Sequence, residues 1–386
     1  MPTVMISTGE SSGELYGSLL AKALKIQWPG LHIIGIGGEK MSEEGVTLIS
    51  RTTDVFGLLE AVSSYRTVKA TLKEAVAALK KFIPDVLVLI DYPDFNLRLA
   101  RVAKDLGIKI LYYVSPQVWA WRRGRVKKIS QIVDRMAVLF PFEEEIYKKA
   151  GVDCEFVGHP IFEEIEAIVK KGGKEELKAS IGLVTNRPVL SLLPGSRPNE
   201  LRKLLPVMTA VAKQFKSDPE IRSKWDYQFC VPLASNTDEG QYRSYIEALG
   251  QEGAMITKGK TVKVLSVSDM AVVCSGTATL QAVFLEVPMV VIYKLSPFSY
   301  QVGKRIVKVK YVSLINILSG REVVKELIQD AAHTDNITKE LKKIMFQNEY
   351  REEMINAYKI VKKSFSDKKT SQRVAEIVVE MINKKN

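Results

Sequence analysis

Apolar positions along the chain follow two alternating rhythms. Short unbroken runs at Thr3–Ser7, His32–Ile36, Val86–Ile90 and Lys109–Val114 are rich in β-branched and aliphatic residues. They predict strands. Between them apolar residues recur at helical spacing, so strand, helix and strand alternate as in parallel βαβ units. After the polar stretch Lys170–Lys178 the pattern restarts, with strands predicted at Val189–Leu193, Tyr227–Val231, Met270–Cys274 and Met289–Tyr293. A chain of 386 residues exceeds what one core usually organises. The expected organisation is α/β, with domains at residues 1–170 and 171–348. Beyond Leu318 the pattern is helical only, and residues 349–386 are expected to form a helical tail that packs back on the first domain.

Three strand-to-helix junctions carry small or charged residues suited to a ligand. The first is Gly9-Glu10-Ser11-Ser12-Gly13-Glu14, the second Pro194-Gly195-Ser196-Arg197-Pro198-Asn199-Glu200, and the third Ser275-Gly276-Thr277-Ala278-Thr279-Leu280-Gln281. Backbone N–H groups and a helix dipole at such junctions can face an anion or a sugar hydroxyl, although each junction read alone also fits a capped helix start. Arg197 can clamp a diphosphate with two parallel bonds. The first junction has no Lys where a Walker A loop needs one, and Gly35–Lys40 does not complete G-x-G-x-x-G.

Asp91 falls just past the end of a predicted strand, where open α/β sheets place ligands, and is the candidate general base. Asp94 follows Pro93 and reads as a helix cap. Glu143, Glu144 and Glu145 read as a solvated helix start, and His159 as part of a turn. Trp119 and Trp121 beside Arg122, Arg123, Arg125, Lys127 and Lys128 suit an interfacial or phosphate-bearing ligand, or else a solvated basic face. Leu58, Leu59, Val62, Tyr65, Val68 and Leu72 form a stripe that fits a core-facing helix side or, flanked by Arg66, Lys69 and Lys73, a membrane-facing patch.

A formal charge of +12 favours anionic partners without choosing among nucleic acid, anionic lipid and phosphorylated substrate. No apolar run approaches the roughly 20 residues that span a bilayer, and no basic n-region precedes the first strand, so neither export nor a spanning helix is expected. Cys154, Cys230 and Cys274 are widely spaced, which fits a reducing compartment; with only three histidines, no metal site is expected.

In chain order the segments GESSGE, IDYPDFN, YVSPQVWAWRRGRVKKI, GHP, LPGSRPNE, SGTATLQ and YVSLINILSGREVVKELIQ together resemble the lipid-A-disaccharide synthases across almost the whole sequence. That resemblance implies a GT-B fold, two Rossmann-like domains facing a cleft, with the acceptor in the first and a UDP-sugar in the second. It implies transfer of 2,3-diacylglucosamine from UDP to 2,3-diacylglucosamine 1-phosphate (lipid X), giving a β-1,6-linked disaccharide with inversion and without metal or cofactor. It further implies a cytoplasmic enzyme peripheral to the anionic inner-membrane surface, with no nucleic-acid partner; a homodimer is compatible with it.

Transferred by position, the resemblance makes Asp91 the base and Arg197 the diphosphate ligand. Gly9, Glu10, Ser11, Ser12, Gly13, Gly195, Ser196, Glu200, Ser275, Gly276, Thr277, Ala278, Gln281, Asn316, Arg321 and Glu322 become substrate-binding candidates. Two positions depart from the family pattern. Glu14 stands where Asp is common, and Gln281 where a ribose-holding Glu is usual, which removes a charge-assisted bond. Competing readings are a UDP-N-acetylglucosamine epimerase or another lipid glycosyltransferase of the same fold, and a basic nucleic-acid-binding protein without any matching signature.

Overall fold

The computed structural model describes residues 1–9, 11–51, 61–116, 118, 124–170, 172–296 and 310–384, without the side chains of 11 and 61–66. Glu10, Leu58, Leu59, Trp119, Trp121, Arg122 and Arg123 lie outside the described residues, as do the side chains of Ser11, Val62, Tyr65 and Arg66. The chain divides into two compact units, Met1–Pro160 with Asp367–Asn386, and Ile161–Ser366.

The first unit is a seven-stranded sheet: β1 (Thr3–Ser7), β2 (His32–Gly37), β3 (Thr47–Arg51), β4 (Val86–Ile90), β5 (Lys109–Tyr113), β6 (Arg135–Val138) and β7 (Asp153–Phe156). Its order is β3-β2-β1-β4-β5-β6-β7, and all its pairs are parallel. β1 and β4 are buried at every position, as expected of central strands covered by helices on both faces. The main core joins Met5, Leu87, Leu89 and Tyr112 of the sheet to Phe95 and Leu99 of helix Pro93–Asp105.

The second unit is six-stranded: β8 (Val189–Leu193), β9 (Gln228–Leu233), β10 (Ala254–Lys258), β11 (Met270–Cys274), β12 (Met289–Tyr293) and β13 (Glu326–Ile328), in the order β10-β9-β8-β11-β12-β13. It too is parallel throughout. β13 corrects the expectation that the chain beyond Leu318 is only helical. Three residues at a sheet edge are too few to stand out against the helical pattern around them.

The unit bounds also differ from the expected domains. Helix Ile161–Val169 packs in the second unit, where Phe162 meets Phe284 edge-on at 5.2 Å. The tail divides rather than moving as one piece. Helix Asn348–Ser366 belongs to the second unit, with Phe365 fully buried on Phe284 and Lys362 paired to Glu286 at 2.7 Å. Helix Thr370–Asn383 belongs to the first unit and packs along helix Ser11–Gln27. Arg373 there forks onto both Glu155 oxygens, at 2.7 and 2.9 Å, and Arg135 pairs with Glu380.

His159 closes the first unit where Gly158 turns with φ +93°. It is buried between the rings of Tyr16 and Phe140, whose centroids lie 5.8 and 5.7 Å away. Burial lowers its pKa from 6.5 to about 3, so the folded imidazole is neutral. The unfolded chain takes up this proton near pH 6.5 and the folded chain only near pH 3. The stability that depends on neutral His159 is therefore complete above pH 6.5 and is lost as pH falls toward 3. Urea unfolding between about pH 6.5 and about pH 5 is expected to show a loss approaching 1.4 kcal/mol per pH unit. His159→Gln should abolish that slope, and an unchanged slope in the variant would assign it to another group.

Candidate functional site

In each sheet the strand order reverses once, between β1 and β4 in the first unit and between β8 and β11 in the second. Chains that leave the carboxyl ends of two such strands diverge to opposite faces, and ligands of open α/β sheets bind in the crevice that results. All three junctions singled out from sequence, and Asp91, lie at these two reversals.

At the first reversal, β1 leads through Thr8 and Gly9 into helix Ser11–Gln27, and β4 through Asp91 and Tyr92 into helix Pro93–Asp105. Asp91 and Tyr92 are both left-handed, with φ of +51° and +46°. Such a backbone costs non-glycine residues about 1 to 3 kcal/mol each and persists only where neighbours enforce it. Here they do. Asn96, fully buried, donates from Nδ2 to the Asp91 carbonyl at 2.8 Å and the Ile90 carbonyl at 3.2 Å. Its Oδ1 accepts from Ser7 Oγ at 2.7 Å. Tyr112 Oη donates to the same Asp91 carbonyl at 2.8 Å. Burial first, and then the Asp91 charge, push the Tyr112 pKa well above its ordinary value, which keeps the phenol a donor.

The Tyr92 ring stacks on Phe95 at 5.2 Å and leans over Gly9. A Cβ at position 9 would stand 2.6 Å from Tyr92 Cβ, so this approach requires glycine. Gly13 is less constrained, because a Cβ there would meet Thr8 and Ile90 at 3.5 and 3.6 Å. Ser12 is exposed on the first helical turn.

Glu14 does not reach the crevice. Its carboxylate accepts from the Lys40 N–H at 3.0 Å and caps helix Glu39–Glu43, where a side chain on Gly38 would overlap it. Asp94 is not the cap expected of it: Tyr92 holds the cap position of helix Pro93–Asp105, and Asp94, in the first turn, pairs with Arg125.

Glu143 departs from expectation. It is 2% exposed, accepting from the Phe140 N–H at 3.1 Å and from Ser115 Oγ at 2.8 Å. Ser115 follows Val114, whose φ of +67° is unusual for a β-branched residue.

At the second reversal Gly195 turns with φ +96°. A Cβ there would overlap the Glu200 carboxylate and stand 3.1 Å from Cys274 Sγ, so the β8 junction closes directly on the end of β11. Glu200 sits in the first turn of helix Pro198–Ser217, and its Oε2 accepts from the Ser196 and Arg197 N–H groups at 3.1 and 3.2 Å. The donors expected to meet an anion are thus engaged by the helix's own carboxylate. Glu200 shapes the turn instead of facing outward, while the Arg197 side chain is exposed.

Burial first, then Glu200, push the Cys274 thiol and the Tyr293 phenol up, and Arg197 pulls both the other way. The guanidinium therefore acts on the ends of β11 and β12. Lys203, farther along helix Pro198–Ser217, is a cation that the sequence pattern did not reveal; burial, then the like charge of Lys294 just past β12, lower its pKa.

Ser275 Oγ donates to the Val312 carbonyl at 3.2 Å, while Gly276 and Thr277 lie exposed at the start of helix Thr277–Phe284, with Ala278 and Gln281 half-buried along it. A Cβ on Gly276 would meet nothing within 4 Å among the described residues.

Asn316 is not a lining residue. Its Nδ2 donates to the Val324 carbonyl and Glu326 Oε1 at 2.9 and 2.8 Å, and its Oδ1 accepts from the Val323 and Val324 N–H groups at 2.7 and 3.0 Å. An amide offers two donors and two lone pairs, and all four are used. Glu326 also accepts from the Val312 N–H at 2.9 Å and the Ser313 N–H at 2.8 Å, fixing the segment that receives Ser275. Arg321 and Glu322 are exposed beyond Gly320, with Glu322 paired to Lys325 at 2.9 Å.

Comparison with known proteins adds to this geometry. Residues 4–379 match the family described as Lipid-A-disaccharide synthetase. The lipid-A-disaccharide synthase of Geobacter sulfurreducens is 42% identical over 99% of this chain and 97% of its own length. That of Myxococcus xanthus is 37% identical over 99% and 98%. Among solved structures, the Staphylococcus aureus MnaA–UDP co-structure superposes with a TM-score of 0.71 at 12% identity, covering 100% of this chain and 99% of that one. The Neisseria meningitidis UDP-GlcNAc 2-epimerase bound to UDP-GlcNAc gives 0.66 at 12%, covering 100% of both chains. At such identities the structural likeness shows the fold, which is GT-B.

The two glycine environments predict opposite responses. Gly195→Ala combines a left-handed φ with an overlap on Glu200, and should destabilise the second unit by about 2 kcal/mol or more. Gly13→Ala, inside a helix with ordinary contacts, should be neutral or stabilise by up to about 1 kcal/mol. Denaturant unfolding of both variants tests this; equal effects would contradict it.

Proposed function

The chain belongs to the lipid-A-disaccharide synthetase family, a glycosyltransferase family of lipid A biosynthesis, and from that membership we propose that it condenses UDP-2,3-diacylglucosamine with 2,3-diacylglucosamine 1-phosphate. The observation that carries this reading is the convergence of Asp91 on one sheet reversal and of Arg197 with Ser275–Thr277 on the other. UDP as the leaving group is supported by the UDP and UDP-GlcNAc named for two structural neighbours.

The reaction is one in-line displacement. The acceptor's 6-hydroxyl oxygen forms a bond to the anomeric carbon as the bond from that carbon to the diphosphate oxygen breaks; UDP departs and the configuration inverts. Asp91 accepts the hydroxyl proton. Arg197 and the N-terminus of helix Thr277–Phe284 take up the charge developing on the diphosphate, with Lys203 and Lys294 adding to the positive field at that sheet edge. These groups fill the role a divalent cation would otherwise play. Gln281 is the candidate ribose contact, as a neutral hydrogen-bonding group.

Both substrates carry acyl chains, so the enzyme works at the cytoplasmic face of the inner membrane as a peripheral protein. No helix among the described residues is long and apolar enough to cross a membrane.

Purified protein is expected to release UDP only when both lipid substrates are present, at a rate that EDTA leaves nearly unchanged. A coupled UDP assay with each substrate omitted in turn checks this. Equal release without acceptor would indicate a hydrolase or an epimerase, and loss of activity to EDTA with recovery in Mg²⁺ would contradict the metal-free reading.

A further inference from the structure

Asn96 and Tyr112 have no part in the chemistry described so far, yet both converge on one atom beside it. The Asp91 carbonyl oxygen accepts from Asn96 Nδ2 and from Tyr112 Oη, each at 2.8 Å. Both donors are fully buried, and they reach it from different elements, helix Pro93–Asp105 and β5. Asn96 is itself oriented, because Ser7 Oγ on β1 donates to its Oδ1 at 2.7 Å and leaves Nδ2 to face the carbonyls. Three neighbouring strands, β1, β4 and β5, are thereby tied to one peptide group.

A peptide unit is planar, so pinning its carbonyl oxygen fixes the ψ of the residue that owns it. With φ held at +51°, fixed ψ sets the direction of the Cα–Cβ bond of Asp91 and so the origin of its carboxylate. Left to itself, an aspartate at this junction relaxes toward the right-handed or extended region and carries its side chain elsewhere.

We propose that Asn96 and Tyr112 are positioning residues that hold Asp91 in its left-handed conformation and thereby aim its carboxylate at the acceptor hydroxyl. This rests on the reading of Asp91 as the base. It adds that the base is aimed through its main chain by buried donors with no substrate contact. Ser7 acts one step further back, by orienting the Asn96 amide.

Tyr112→Phe deletes one donor and keeps the ring. Steady-state UDP release with both lipid substrates should show kcat reduced about ten- to a hundredfold, the scale of a base displaced by about an ångström, with donor KM unchanged and the melting transition retained. A purely structural tyrosine would lower the melting temperature and leave kcat of the folded enzyme alone. Ser7→Ala is the second variant, should Tyr112→Phe fail to fold; it should lower kcat several-fold with the same KM pattern. Asp91→Asn is assayed alongside. If it is inactive while folded Tyr112→Phe and Ser7→Ala turn over at the wild-type rate, the positioning role is overturned and the base assignment stands. If Asp91→Asn itself turns over at the wild-type rate, the base assignment falls, and the positioning role falls with it.

Discussion

Each unit depends on the single point where its parallel sheet reverses order, because there two adjacent chains must leave buried strands and part company within a few residues. At β1 and β4 the exit is made by Gly9 under the Tyr92 ring and by left-handed Asp91 and Tyr92; at β8 and β11 it is made by Gly195 closing on Glu200 and Cys274. Both exits are held in place. The first is held by Asn96 and Tyr112, the second by the Glu200 carboxylate on two backbone N–H groups. Asp91 and Tyr92 are half-buried at the first exit and Ser196 and Arg197 exposed at the second, so side chains there meet solvent while their backbone is held.

Engagement of Glu200 changes how the second unit can treat an anion. A loop whose N–H groups were open would cradle phosphate by backbone alone. With Ser196 and Arg197 N–H groups already accepted by a carboxylate, that route is occupied, and the same carboxylate adds negative charge nearby. The burden in the proposed reaction shifts to side-chain cations, Arg197 with Lys203 and Lys294, and to the open backbone around Gly276. The proposed ribose contact at Gln281 fits this pattern: one carboxylate fewer along helix Thr277–Phe284 reduces repulsion of a diphosphate, and a neutral bond takes the place of a charged one.

The central strands were legible because β4 and β11 are unbroken apolar runs and β8 is broken only by Ser191, all three buried at every position. β3 and β13 were not: they are edge strands, half-buried and mixed in polarity, and only pairing with a neighbour makes them strands. The junctions at Gly9, Gly195 and Ser275 were legible as strand-to-helix turns, since glycine and small residues gather where one element gives way to the next. Side-chain roles set by distant partners were not. Glu143 looks like a solvated helix start until Ser115, 28 positions away, is seen to meet it. Asn316 looks available until the Val323–Glu326 segment folds back to take every bond it can make. Glu14 stands beside a ligand-like motif yet caps a helix built from residues after 38.

In the proposed reaction the two units take two tasks, proton acceptance by Asp91 and diphosphate binding by Arg197. The most direct test of that division is calorimetric titration of UDP into Arg197→Ala and Asp91→Asn side by side, with circular dichroism confirming that both fold. Arg197→Ala should weaken UDP binding roughly ten- to a hundredfold, about 1.5 to 3 kcal/mol, and Asp91→Asn should match the wild type. Unchanged affinity in Arg197→Ala, or an equal loss in Asp91→Asn, would contradict it.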